Sequence, residues 1–343
     1  FIINKTANQA HIFFHVTRLS DGDGVAAIVP RRRIPKNPPG LLKFDLIGRL
    51  TAPIRSARLI PANPATPPVV LTLAGNDPTG GAGLCADIET LVSLGCHPAP
   101  VVTALTVQDT RDVRALLPVD PACVLAQARA ILADMPVAAF KIGVIGSAEN
   151  ATALHALLTA HPDIPVVLDP VLAAGGGTEL ASKELIELVR TLLLPLTTVL
   201  TPNSVEARRL APEADTLNAC AMALLARGCQ YVLISGGHEP GEDVVNALYG
   251  NNRLLETFRW PRLPHQYHGS GCTLAAAIAA LLAQGHELYS GSPNSAIYRA
   301  QNYTWQSLRA GYRAGSGQLL PNRLFWAAAS EIDREETVKN DRE

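Results

Sequence analysis

Val69-Val70-Leu71-Thr72-Leu73-Ala74-Gly75-Asn76-Asp77-Pro78-Thr79-Gly80-Gly81-Ala82-Gly83 is an apolar run that ends in a glycine-rich turn. A short run of this kind, bounded by glycine, reads as a strand buried on both faces. Residues 84–94 follow with apolar side chains at helical spacing, so the stretch predicts strand, loop and helix in succession. The same alternation continues outward. Strands are predicted at 101–107, 140–143, 166–169, 198–201, 231–235 and 244–249, with a hairpin partner at 254–259. Helices are predicted at 121–135, 150–161, 273–284 and 296–313. Strands alternating with helices predict a mostly parallel central sheet covered on both sides, a three-layer α/β/α domain over residues 67–328.

Before that domain the composition changes. The formal net charge of −1 averages two unlike segments. Residues 1–66 hold ten Lys/Arg against Asp21, Asp23 and Asp45, a charge of +7, while the remainder holds 19 Lys/Arg against 27 Asp/Glu, a charge of −8. Nine prolines between Pro30 and Pro68 predict a poorly ordered leader. Arg31-Arg32-Arg33 reads as part of a solvated basic leader, and residues 329–343 as a charged, frayed tail. With 48% hydrophobic and 17% charged residues, the rest of the chain can bury a large core. The near-neutral total argues against a polyelectrolyte partner, and no apolar stretch reaches the length of a membrane span. Six cysteines without CxxC spacing predict reduced thiols and a cytoplasmic protein.

Four places carry chemistry, each at the predicted carboxyl end of a strand, where open parallel sheets bind ligands. The glycine-rich turn 75–83 permits close approach of a ligand to the backbone, and Gly83 opens a helix. It is neither a Walker A loop nor a clean GxGxxG. His268-Gly269-Ser270-Gly271-Cys272-Thr273 precedes an alanine-rich helix whose free amides and dipole suit an anion such as phosphate. Cys272 falls in that first turn, which predicts a lowered thiol pKa. Asp169, directly after Val166-Val167-Leu168, is placed to hold Mg2+ through water. In Thr201-Pro202-Asn203-Ser204-Val205-Glu206, the spacing of Asn203 and Glu206 fits a helix capping box, and Glu206 also suits a second metal or metal-water ligand.

The ordered set resembles the ribokinase-like superfamily, and within it the hydroxymethylpyrimidine/phosphomethylpyrimidine kinases of thiamine biosynthesis. The resemblance rests on residues 74–83 with Ala86-Asp87, and on Val102-Thr103-Ala104-Leu105-Thr106-Val107-Gln108 and Lys141-Ile142-Gly143. Val167-Leu168-Asp169-Pro170-Val171, Thr201-Pro202-Asn203 with Glu206, Ser235-Gly236-Gly237-His238, and residues 268–274 complete it. It implies an ATP- and Mg2+-dependent kinase that phosphorylates 4-amino-5-hydroxymethyl-2-methylpyrimidine and then its monophosphate, acts on a small molecule, and forms a homodimer. By the same resemblance Gly269, Ser270, Gly271 and Cys272 form the catalytic turn. Gly75, Asp87, Gln108, Val144 and Val171 meet the pyrimidine. Asn203, Lys141 and Ser235 serve the nucleotide, and Asp169 and Glu206 the metal. The amide of Gln108 can both donate and accept, which suits a ring nitrogen beside an amine.

This chain departs from the family pattern in two places. Ser235 stands where a lysine is usual, which implies a missing phosphate-facing cation or its replacement by a residue such as Lys141. Ser270 stands where threonine is usual and keeps the hydroxyl. Pyridoxal/pyridoxine kinase activity, or a pyrimidine-sensing domain without turnover, are the alternatives left open by the residues themselves.

Overall fold

The computed structural model describes residues 66–327. The basic leader with its arginine run and the charged tail fall outside the described residues. The chain runs β1 (Val69–Asn76), α1 (Gly83–Ser93), β2 (His97–Gln108), β3 (Val113–Pro118), α2 (Pro121–Asp134), β4 (Val137–Ile142) and α3 (Ala148–Thr159). It continues through β5 (Val166–Leu168), α4 (Lys183–Leu188), β6 (Val199–Leu200), α5 (Ser204–Leu210), α6 (Leu217–Ala226) and β7 (Tyr231–Ile234). β8 (Asp243–Gly250), β9 (Arg253–Pro261), α7 (Ser270–Ala283) and α8 (Ala296–Arg309) close it.

The nine strands form one sheet in the order β3-β2-β1-β4-β5-β6-β7-β8-β9. β2, β1, β4, β5, β6 and β7 are parallel; β3, β8 and β9 are antiparallel to their neighbours. The chain leaves β1 for β2 on one side and returns to β4 on the other, so the order reverses between β1 and β4. Such a reversal opens a crevice at the carboxyl ends of the strands. β5 and β6 are short because Pro170 and Pro202 cannot donate to a ladder. The chain therefore turns out of the sheet at Asp169 and Thr201, into the crevice.

Two apolar cores lie on opposite faces of the sheet. One packs α2 to α6, with Leu154, Leu193 and Leu224 fully buried. The other packs α1, α7 and α8, with Leu91, Ile278 and Ile297 fully buried. Ten of the 14 residues of α7 are buried, and its run of alanines lets the helix lie close over the middle of the sheet. This confirms the three-layer α/β/α expectation. Three features differ. Residues 113–118 form a strand that the pattern does not announce, because most of β3 faces outward and lacks clean alternation. Helices α4, α5 and α6 flank β6 in a region where the sequence marks only a capping box at 203–206 and no helix is drawn. α8 stops at Arg309, where Gly311 turns back on Leu308, four residues before the predicted end.

Candidate active site

A cleft of about 1000 Å3 opens at the crevice. Gly75 of β1, Val144 after β4, Asp169 after β5, Asn203 after β6, Ser235 after β7 and the first turn of α7 all face it. Gln108, Val171 and Glu206 line it as well. Twelve of the 14 residues singled out from the sequence thus come together. Asp87 and Lys141 do not reach the cleft.

Two glycine-rich loops make one wall, and they are locked to each other. Gly269 caps α7 with φ +81°, and a Cβ there would collide with the carbonyl oxygen of Gly81. Gly83 starts α1 with φ +56°, and a Cβ there would collide with Gly75 O. Only glycine tolerates both the backbone region and the approach. Asp77, 2% exposed, joins the loops chemically. Its Oδ1 accepts from Thr79 N at 2.8 Å, and its Oδ2 accepts from Ala82 N at 2.8 Å and from the Thr79 hydroxyl at 2.9 Å. His268 Nε2 stands 2.8 Å from the same Oδ2. Burial pushes the Asp77 carboxyl up, but the bonds from His268 and Thr79 outweigh it and hold the group below its usual range. No side chain caps α7, so its first amides are free to meet a ligand. The amides of 269–272 thus stand uncapped at the positive end of a helix, an arrangement able to hold an anion.

Opposite those amides lie two buried carboxylates. A Cβ on Gly271 would stand 3.6 Å from Asp169 Oδ1, so the start of α7 packs directly over Asp169. Asp169 Oδ2 is buried with no hydrogen-bond partner. Burial pushes Asp169 up to about 6, against the lowering effect of Lys141. Asn203 caps α5, its Oδ1 accepting from Val205 N and Glu206 N at 2.9 Å each. Glu206 Oε2 accepts in return from Asn203 N at 2.9 Å, so the capping box expected from the spacing is present. Burial and the nearby Asp169 push Glu206 up to about 8. Two neighbouring buried acids, both raised by burial and one with an orphaned oxygen, are short of a cation. Among the described residues no three His, Cys, Asp or Glu side chains converge as a metal cage. That donor set fits Mg2+, which needs one or two carboxylates and otherwise keeps water and substrate phosphate.

Cys272 corrects one expectation. Its helix-start position predicts a lowered pKa, yet the thiol is 8% exposed and pushed up to about 12. Burial is the largest cause, and Asp169 and Asp87 add to it; Lys141 and a backbone bond at Gly83 offset only part. At a crowded helix start, desolvation and neighbouring carboxylates outweigh the dipole. Cys272 is therefore a neutral thiol at neutral pH.

Lys141 and Asp87 correct another. Both side chains are 0% exposed, with Nζ 2.8 Å from Asp87 Oδ1 and 3.0 Å from Oδ2. Burial lowers the Lys141 pKa, but Asp87, Cys272 and Asp169 outweigh it and hold the ammonium charged. Neither side chain lines the cleft, so the pair stands apart from the twelve residues that do, while the Lys141 charge is felt at Asp169 and Cys272. Ser235 itself faces the cleft, with its backbone tied to the α5 turn through Ser235 N to Pro202 O at 2.9 Å and Ser204 N to Ser235 O at 3.1 Å.

On the other side of the cleft, Gln108 Nε2 donates to Thr106 Oγ1 at 2.8 Å, and Thr106 Oγ1 donates to Asn76 O at 2.9 Å. This relay fixes an amide at the end of β2. Val144 packs against Gly75, where a Cβ would lie 3.4 Å from the valine Cβ, and its carbonyl accepts from the Thr103 hydroxyl. Asp77, His268 and Arg323 also build the site, although sequence reasoning assigned them no role. Asp77 and His268 stand inside the glycine-rich segments and had a local signal; Arg323 had none.

The phosphomethylpyrimidine kinase family matches residues 77–322. The chain is 39% identical over 262 residues to the hydroxymethylpyrimidine/phosphomethylpyrimidine kinase of Streptomyces coelicolor, covering 75% of this chain and 94% of that protein. Its fold resembles a phosphomethylpyrimidine kinase from Clostridium difficile 630 with TM-score 0.60 and 31% identity, over 69% of this chain and 97% of that one. It also resembles Bacillus subtilis pyridoxal kinase, solved as an ADP complex, with TM-score 0.69 and 28% identity, over 76% and 99% of the two chains. The chain belongs to the phosphomethylpyrimidine kinase family and is a phosphotransferase of that family.

Proposed function

We propose that the chain transfers the γ-phosphoryl group of ATP to the hydroxymethyl oxygen of 4-amino-5-hydroxymethyl-2-methylpyrimidine, and then a second group to the monophosphate. Residues 67–328 are its catalytic domain in this reading. The observation that carries it is the packing of the free amides of α7 directly over Asp169. Anion-binding donors and buried acids adjoin at one point, as charge neutralisation in phosphoryl transfer requires.

Each part has a task. The amides of Gly269 to Cys272 stabilise the charge on the transferring group. Asp169 and Glu206 would hold Mg2+ or its waters, and that ion supplies neutralisation of the phosphate charge. Asn203 and Ser235 flank the nucleotide phosphates. Gln108 reads the aminopyrimidine edge between Gly75, Val144 and Val171. The substrate oxygen bonds to the γ-phosphorus as the bond to the ADP oxygen breaks, and the hydroxyl proton of the first step leaves to a phosphoryl oxygen of the transferred group. Such a transition state is loose and asks little of a base. A neutral Cys272 thiol beside the hydroxymethyl oxygen is compatible with that demand, where a standing thiolate is not required.

The homodimer implied by the family resemblance is part of this proposal. Leu105, Val107 and Leu117 support it, being 49–52% exposed apolar side chains on the β2–β3 hairpin, and sedimentation velocity reads it. The likeness to a pyridoxal kinase makes pyridoxal the natural competitor substrate. A coupled assay of ADP release with each compound decides the substrate. Faster kcat/KM on the hydroxymethylpyrimidine is expected; faster kcat/KM on pyridoxal, or turnover of neither, overturns the proposal.

A further inference from the structure

Arg323 is a permanent cation with no assigned task, and it lies one residue beyond the family match. Its side chain is 1% exposed. Burying a guanidinium is costly unless its donors are satisfied. Here Nη1 donates to Glu89 Oε2 on α1 at 2.9 Å, but that carboxylate is 45% exposed and screened by solvent. The other two bonds go to neutral acceptors next to residues that line the cleft. Nη2 donates to Gly81 O at 2.5 Å, and Nε donates to Thr273 Oγ1 at 2.9 Å.

Those two acceptors belong to the two glycine-rich loops. Gly81 O is the atom against which Gly269 packs so closely that no side chain fits. The Thr273 hydroxyl donates onward to Gly269 O at 2.8 Å. The guanidinium therefore holds both sides of one contact, between the 77–83 loop and the residue that caps α7. Its backbone is fixed too, because the Tyr303 hydroxyl on α8 donates to Arg323 O at 2.8 Å. The Asp77–His268 pair ties the same two loops from the cleft side. A planar fork with fixed donor directions can hold two such acceptors at once; the single nitrogen of a lysine cannot.

We infer that Arg323 is a positioning residue for phosphoryl transfer, acting through Gly81 O and Thr273 to keep the amides of Gly269 to Cys272 converged on one point. The inference rests on the function proposed above. Displacements near 1 Å in such a constellation cost on the order of 100-fold in rate.

Arg323→Met, Arg323→Lys, Thr273→Val and, as control, Glu89→Gln test it by steady-state kinetics, with thermal unfolding recorded for each. Binding of a nonhydrolysable ATP analogue by calorimetry gives a readout independent of the ring substrate. Arg323→Met and Thr273→Val are expected to lower kcat at least tenfold and to weaken the analogue, with KM for the pyrimidine within about threefold. Arg323→Lys rescues neither, and Glu89→Gln keeps wild-type turnover. If Arg323→Met fails to fold, Thr273→Val decides, since it removes one hydroxyl from a folded helix start. Folded Thr273→Val with wild-type kcat and analogue affinity overturns the inference and leaves Arg323 a structural clamp. A wild-type protein that binds the analogue but turns over neither ring compound overturns the function, while the analogue affinities still decide the positioning role.

Discussion

Replacing Lys141 with Met removes the ion-pair partner of Asp87 from a site where both side chains are 0% exposed. The thioether fills most of the lysine volume, so the loss is electrostatic. Breaking a buried ion pair by removing one member costs about 3–5 kcal/mol, because the other charge stays buried and uncompensated. In a domain of this size each kcal/mol moves the midpoint by roughly 2–4 °C, so Tm is expected to fall by roughly 6–20 °C. Lys141→Met/Asp87→Val removes both charges and is expected to recover all but about 1–2 kcal/mol, since apolar replacements of buried pairs are often near neutral. Urea unfolding followed by far-UV circular dichroism measures both variants at neutral pH. The same double variant is expected to keep KM for ATP within about threefold, because neither side chain lines the cleft. A single variant costing less than about 1 kcal/mol would refute the buried-pair reasoning. A large rise in KM for ATP in the folded double variant would return Lys141 to the nucleotide.

Gly269→Ala places a Cβ at φ +81° against Gly81 O. A non-glycine residue there costs roughly 1–2 kcal/mol in backbone strain alone, and kcat is expected to fall on the order of 10- to 100-fold as the amides shift; stopped-flow or steady-state turnover checks this, and an unchanged kcat contradicts it. Cys272→Ala is expected to lower kcat more than KM. Peptide mapping after iodoacetamide treatment is expected to find the exposed Cys123 alkylated well before Cys272, whose thiol is pushed up to about 12; equal rates would restore a thiolate. Asp77 has its folded-state pKa held below the unfolded value, so its contribution to stability is complete above about pH 4 and is lost as pH falls through the lower folded value. The difference in unfolding free energy between wild type and Asp77→Asn is therefore expected to shrink on acidification, and a pH-independent difference contradicts it.

The strands that carry the site were legible because they are buried on both faces. Val69-Val70-Leu71-Thr72-Leu73-Ala74 has no alternation to confuse, and glycine marks its end. The start of α7 was legible for the same reason, a glycine turn before an alanine run. α5 and α6 were less so. α5 spans only seven residues between a proline turn and Ala211, too few for a clear period. The capping box of Asn203 and Glu206 was visible, but the helix behind it was not drawn. What escaped the sequence was long-range chemistry. The Lys141–Asp87 pair closes 54 residues, Asp77–His268 closes 191 and Arg323–Gly81 closes 242. None of these has a local pattern. The Cys272 thiol shows the same lesson in electrostatic form. Its helix start was local and legible, while the carboxylates that help set its pKa come from the turn after β5 and from α1.

Product analysis by phosphorus NMR is the most direct test of the central claim. Purified protein is incubated with ATP, Mg2+ and 4-amino-5-hydroxymethyl-2-methylpyrimidine, and the phosphorylated products are followed in time. The account predicts a pyrimidine monophosphate that rises first and is then converted to the diphosphate, with one ADP formed for each phosphoryl group transferred. ADP formation without any phosphorylated pyrimidine, or no reaction in a folded, nucleotide-binding protein, would contradict it.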